Sequence, residues 1–156
     1  MTARVEICLA LPDHAERMAP MMRAADAAEV MASNGEDPRT ALQTCLEWSQ
    51  ESYAGYIGGE LACLFGVGPG SFLLNTGVPW MLSTAVVERH PRAFYVASRS
   101  VVSSWLERYD SLEQMVDVRH VQALRWLRHL GFTIEQPRLW GHERRPFCRV
   151  HIERAN

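Results

Sequence analysis

Lysine is missing from this chain, and all 16 basic residues are arginine. That is a compositional trait from which no function follows. Strong charge bias is missing too: the formal net charge is −2, so nothing in the overall balance asks for nucleic acid as a partner. Cysteine is sparse and scattered. Cys8, Cys45, Cys63 and Cys148 stand singly, without a C-x-x-C pair or a dense framework, which argues against a disulfide scaffold and leaves reduced core thiols as the reading. The histidines lie too far apart in sequence for a local metal motif, and a zinc site built from Cys63, Cys148, His142 and His151 has little to recommend it, so no metal is expected. Long apolar runs are absent. The opening "MTARVEICLALPDHAERM" meets Pro12 and charge soon after a short apolar stretch, so neither a signal peptide nor a spanning helix is expected. The expectation is a cytoplasmic protein with no membrane partner.

What is present suffices for one domain. The chain has 156 residues, 47% of them hydrophobic, enough to bury a real core. "RVEICLAL" reads as an opening strand, and "DHAERMAPMMRAADAAEVMAS" as one long helix stopped by Asn34-Gly35. Asp37-Pro38 opens the next helix, "RTALQTCLEWSQ", since Asp accepts from exposed amides and Pro at the first position loses no bond. "SYAGYIGGELACLFGVG" reads as two strands around a Gly58-Gly59 turn, paired glycines being suited to positive φ. Then follow a strand in "VPWMLST", a helix in "HPRAFYVASRSVVSSWLERY", a strand in "LEQMVDV", a helix in "HVQALRWLRHLG", and closing strands in "FTIEQPRLWG" and "FCRVHIE". Hairpins followed by crossovers argue for a mixed sheet of about seven strands with about four helices on both faces. Leu64, Val78, Trp80, Leu82, Val116, Val118, Leu124 and Leu127 are the expected core.

The stretch "RHVQALRWLRHLGF", Arg119 to Phe132, resembles the last helix of the GNAT N-acetyltransferases, and the element order matches that family along essentially the whole chain. The resemblance implies an α/β fold with a mostly antiparallel sheet splayed between its fourth and fifth strands. It implies acetyl-CoA as co-substrate and an amine, not identified by the sequence, as acceptor. By the same resemblance Leu82 and Thr84, on the fourth strand, offer backbone contacts to the pantetheine arm. The pyrophosphate would sit at "RHPRAF", where Arg89, Arg92, Ala93 and Phe94 replace the usual glycine loop and the arginines supply charge.

This chain departs from the family at two further places: His120 stands where the family usually has Asn, and Leu127 where it usually has Tyr. Leu127 cannot protonate a leaving thiolate. His120 is the candidate substitute, because imidazole titrates near pH 6.5, and its structural alternative is a helix cap or a surface residue. Thr84 is a candidate hydroxyl donor, with Ser83 and Glu88 beside it, and each also suits an ordinary strand or turn. Glu29, Glu36 and Asp37 lie on the expected acceptor side. The loss of the glycines and the Tyr, with "YIGGELA" and "WMLST", also resembles the phage branch of the superfamily, including a small internal virion protein of short-tailed phages. That implies a second possibility, a scaffold that binds virion proteins, its cleft plugged by Trp80, Trp126 and Phe94. A homodimer stays open on either reading.

Overall fold

The computed structural model describes residues 2–156. Among them the elements run β1 (Val5–Leu9), α1 (Pro12–Met18), α2 (Ala24–Asn34), α3 (Pro38–Trp48), β2 (Glu51–Ile57), β3 (Glu60–Pro69), β4 (Thr76–Ser83), α4 (Val86–Arg89), α5 (Pro91–Leu106), β5 (Ser111–Asp117), α6 (Val121–Leu130), β6 (Thr133–Ile134), β7 (Arg138–Trp140) and β8 (Arg145–Glu153). The expected long first helix is broken. Pro20 cannot supply the amide a continuing helix needs, so Ala19–Met21 tighten into a 3₁₀ turn and Met22 turns extended at φ −61°, ψ 137°. "FTIEQPRLWG" likewise divides into β6 and β7 around Pro137, which gives eight strands among the described residues where about seven were expected.

The hairpin between β2 and β3 turns where expected, on Gly58 at φ 59° and Gly59 at φ 81°. Asp37 caps α3, its Oδ1 accepting from the Thr40 amide at 2.8 Å. The sheet runs β1-β2-β3-β4-β5-β8-β6, with β7 also on β8. Among the described residues its one parallel pairing, β4 with β5, holds at Thr76 opposite Ser111 and Gly77 opposite Leu112. From Val78 onward the two strands part, so the sheet is split from this vertex to the ends of β4 and β5. Gly77 keeps the vertex tight, because a Cβ there would come within 2.9 Å of Val67 Cγ2.

One core packs α1, α2 and α3 on the first face of the sheet, where Met18, Val30 and Leu42 meet Leu64, Trp80 and Leu82. A second lies under α5 and α6, where Trp105 and Leu127 meet Phe65, Leu112, Val116 and Val150. Of the expected core, Leu64, Trp80, Leu82, Val116 and Leu127 are buried, while Val78, Val118 and Leu124 are half-buried. Cys63 and Cys148 are buried free thiols, but Cys8 is exposed and so is no core residue. Among the described residues no helix is long and apolar enough to cross a membrane.

Candidate functional site

A split sheet leaves backbone groups that need partners, and this chain supplies them with side chains. Just above the vertex the Gln114 carboxamide bridges the strands: its Nε2 donates to Pro79 O at 2.9 Å and its Oε1 accepts from the Met115 amide at 2.8 Å. At the wide end α2 takes over. Asp26 and Glu29 lie one helical turn apart on the same face. Asp26 Oδ2 accepts from the Ser83 amide on β4 at 2.9 Å, and Glu29 Oε2 accepts from the Asp117 amide on β5 at 2.9 Å. Between these side-chain rungs is a window. Since Pro79 and Ser83 both turn backbone toward β5, strand alternation turns the N–H and C=O of Met81 the same way, into the window.

This register corrects the sequence expectation by one residue. The Thr84 amide donates to Ala62 O of β3 at 2.9 Å, and its hydroxyl donates to Leu61 O at 2.9 Å. Leu82 shares that parity, so neither residue offers backbone to the gap, and Thr84 is no free hydroxyl donor. Ser83 is spent as well, its Oγ donating to Asp26 Oδ2 at 2.7 Å.

His120 occupies the N-cap position of α6, but its side chain caps nothing, and it is not a surface residue. It precedes α6 without a side-chain capping bond, is 4% exposed, and its Nε2 meets Asp26 Oδ1 at 2.6 Å. Arg23 completes the cluster: its Nε donates to Asp26 Oδ2 at 3.4 Å, and its Nη1 reaches Glu88 and Gln122, each at 3.3 Å. Burial would raise the Asp26 carboxyl, but His120, Arg23 and Ser83 outweigh it and hold Asp26 below the usual carboxylate range. Burial likewise opposes a charged His120, yet the Asp26 hydrogen bond and the Glu29 carboxylate prevail and lift the imidazole above its ordinary value. Glu29 goes the other way from Asp26. Burial dominates there and pushes its carboxyl up to about 7, against the pull of His120 and the Asp117 amide. With Asp26 on Nε2, the remaining ring nitrogen of His120 is Nδ1.

A cavity of about 480 Å³ runs through the split and reaches both helical layers, its wall including Glu29 and Trp80 on one side and Phe94, Val101 and Trp126 on the other. Of the residues expected at the site, His120, Phe94 and the Leu82 side chain reach this wall. Thr84, Arg89, Arg92 and Ala93 do not. Arg89 pairs with Glu60 at 2.7 Å; Arg92 is exposed and Ala93 buried in the first turn of α5. Of the acceptor-side acids only Glu29 lines the cavity, because Asp37 caps α3 and Glu36 accepts from Thr44 Oγ1 at 2.6 Å. The three expected plugs line the space without closing it. Phe94 and Trp126 pack with ring centroids 5.1 Å apart, and Trp80 is drawn aside as its Nε1 donates to Ser49 Oγ at 2.6 Å. Among the described residues the Trp126 Nε1–H is buried without a hydrogen-bond partner.

Sequence reasoning missed Asp26, Gln114 and Met81. Only the spacing of two acids on one helical face carried any signal, and such pairs ordinarily face solvent.

No protein-family model and no curated protein sequence matches this chain. Solved structures do. An N-acetyltransferase from Staphylococcus aureus Mu50 superposes with TM-score 0.72 at 11% identity, over 97% of this chain and 99% of that one. An acetyltransferase of the GNAT family from Streptococcus pneumoniae gives 0.62 at 11%, over 96% and 99%. A spermidine N-acetyltransferase from Vibrio cholerae, in complex with CoA and spermine, gives 0.66 at 10%, over 96% and 95%. At such identities the likeness shows the fold, which is GNAT-like over nearly the full chain. Nothing in these neighbours supports the phage resemblance.

Proposed function

We propose that the chain is an N-acetyltransferase that takes acetyl-CoA and an amine at the window between β4 and β5. The observation that carries this reading is the open cavity through the split sheet, bordered by an unclaimed strand edge at Met81 and by the buried His120–Asp26 pair. A scaffold whose cleft is plugged by Trp80, Trp126 and Phe94 would lack such a passage. The fit to CoA is supported by the orphan Trp126 N–H, which needs an acceptor and lies on the α6 wall, where a pantetheine amide would supply one. The N-terminus of α5 offers the amides of Arg92 and Ala93, which lack helical acceptors, and the Arg92 charge beside them suits a pyrophosphate.

Acetyl-CoA supplies an acetyl group activated as a thioester. The chain does the rest. Met81 aims its N–H into the window, where it would polarise a carbonyl oxygen. His120 holds a proton at Nδ1, which Asp26 makes easier to retain, and a departing sulfur would take it. Leu127, in the slot the family gives to Tyr, packs into the core under α6 and takes no part.

The test is binding. Acetyl-CoA at a hundred times its dissociation constant should stabilise the protein by about 2.7 kcal/mol in a thermal melt. Trp126→Phe should weaken the interaction about three- to tenfold, the worth of one hydrogen bond. If millimolar acetyl-CoA at low salt leaves the melting temperature unmoved, the acyltransferase reading fails.

A further inference from the structure

We infer that the acceptor is a primary monoamine carried on an apolar body, with its ammonium at Glu29 and its body along Trp80 and Trp140. The inference rests on the acyl-transfer reading for the location of the window, but the observations that give the acceptor its chemistry are separate ones.

The α2 side of the cavity is a chamber of mixed character. Val30 comes from α2, Trp80 from β4, Met115 from β5 and Trp140 from β7, and all of them are apolar or aromatic surfaces on the cavity wall. Trp140 is placed there by the loop that follows it. Gly141 sits at φ 84°, where a Cβ would come within 2.7 Å of Ala32 O, and the amides of His142 and Glu143 donate to Ser33 O and Ala32 O at 3.0 and 2.9 Å. Those bonds satisfy carbonyls at the end of α2. They fix β7 against the helix that carries Glu29. Trp140 is further held by Phe147, with ring centroids 5.1 Å apart, and Trp80 by its bond to Ser49.

Three carboxylates line the cavity, Asp26, Glu29 and Glu88. Glu88 is paired with Arg23 at 3.3 Å, and of the three, among the described residues, only Glu29 has no cationic side chain paired with it. Asp26 is saturated by His120, Ser83 and Arg23. Glu36 and Asp37 are held by Thr44 and Thr40 outside the cavity. A polyamine would bring two or more cations into a space that answers one of them and would desolvate the others against indole and thioether. A monoamine with an aromatic or aliphatic body matches the wall, since apolar area gains on burial and an ammonium is attracted to indole faces. The chemistry balances: the ammonium gives one proton to Glu29, the freed nitrogen forms the C–N bond as the thioester C–S bond breaks, and the nitrogen's second proton restores the one His120 gives to sulfur. Glu29, whose carboxyl burial lifts to about 7, is suited to take that proton near neutral pH.

The experiment measures amine binding without acetyl-CoA, by tryptophan fluorescence and thermal shift, using 2-phenylethylamine and spermidine on the full chain. 2-Phenylethylamine should bind about tenfold more tightly than spermidine. Trp140→Leu should erase that difference while leaving the acetyl-CoA shift intact. Glu29→Gln, nearly isosteric, should weaken 2-phenylethylamine and leave neutral 2-phenylethanol unchanged. Spermidine binding as tightly as 2-phenylethylamine, neither amine binding, or an unchanged affinity in both variants would each overturn the assignment. Should 2-phenylethylamine bind as expected while acetyl-CoA gives no shift, the chamber stands and the acyl-transfer reading falls.

Discussion

Asp26→Ala is expected to lower the stability by about 3–5 kcal/mol, the cost of leaving a buried charge and its donors without their partner. The carboxylate is 2% exposed. Its Oδ1 meets His120 Nε2 at 2.6 Å, and its Oδ2 takes both the Ser83 amide and the Ser83 hydroxyl. Alanine removes every one of these acceptors, and the small void gives water little room to replace them. The loss should depend on pH with a definite sign. Asp26 titrates below its unfolded value, so its contribution is present above about pH 4 and fades as the pH falls through the lower folded value. His120 titrates above its unfolded value, so its contribution is complete below about pH 6.5 and fades as the pH rises through the higher folded one. Urea unfolding should therefore show the largest gap between wild type and variant near pH 5.5, and a smaller one at pH 9. A gap under 1 kcal/mol at both would mean that the cluster does not hold α2 to the strands.

His120→Gln should reduce kcat by roughly 10²–10⁴-fold, the usual worth of a positioned proton donor. Glutamine can still donate to Asp26, so the fold and the acetyl-CoA thermal shift should survive. The pH profile separates chemistry from packing. In the wild type, kcat should decline as the pH rises above the elevated His120 pKa, because the proton that would go to sulfur is gone. In the variant that decline should vanish. An unchanged kcat, or a decline that persists in the variant, would show that departure of the thiolate needs no side-chain acid here.

Much of the fold was legible because it is written locally. Asp37-Pro38 announced the start of α3, the glycine pair announced the β2–β3 turn, and Gly131, at φ 102°, closes α6 where the Leu-Gly-Phe pattern placed it. The site was legible only in part, because its contacts are distant in sequence. Asp26 meets Ser83 across 57 positions and His120 across 94. No window of periodicity contains such pairs, and Asp26 and Glu29 read as ordinary acids on an amphipathic helix until α2 is seen lying across the split. The placement of backbone contacts at Leu82 and Thr84 missed for a related reason. A strand has a two-residue period, and a one-residue error in its bounds exchanges the groups that face β3 for those that face the gap.

The way α2 closes the split also bears on how the protein breathes. Amides in mid-sheet ordinarily exchange with solvent only when a neighbouring strand departs. Ser83 and Asp117 have no such neighbour on the side that matters, for their amides rest on two carboxylates of a helix. Deuterium uptake at these two strand ends should therefore follow the undocking of α2, in step with each other and ahead of the amides between β2 and β3. A pair of probes in the sheet thus reports the motion of a helix.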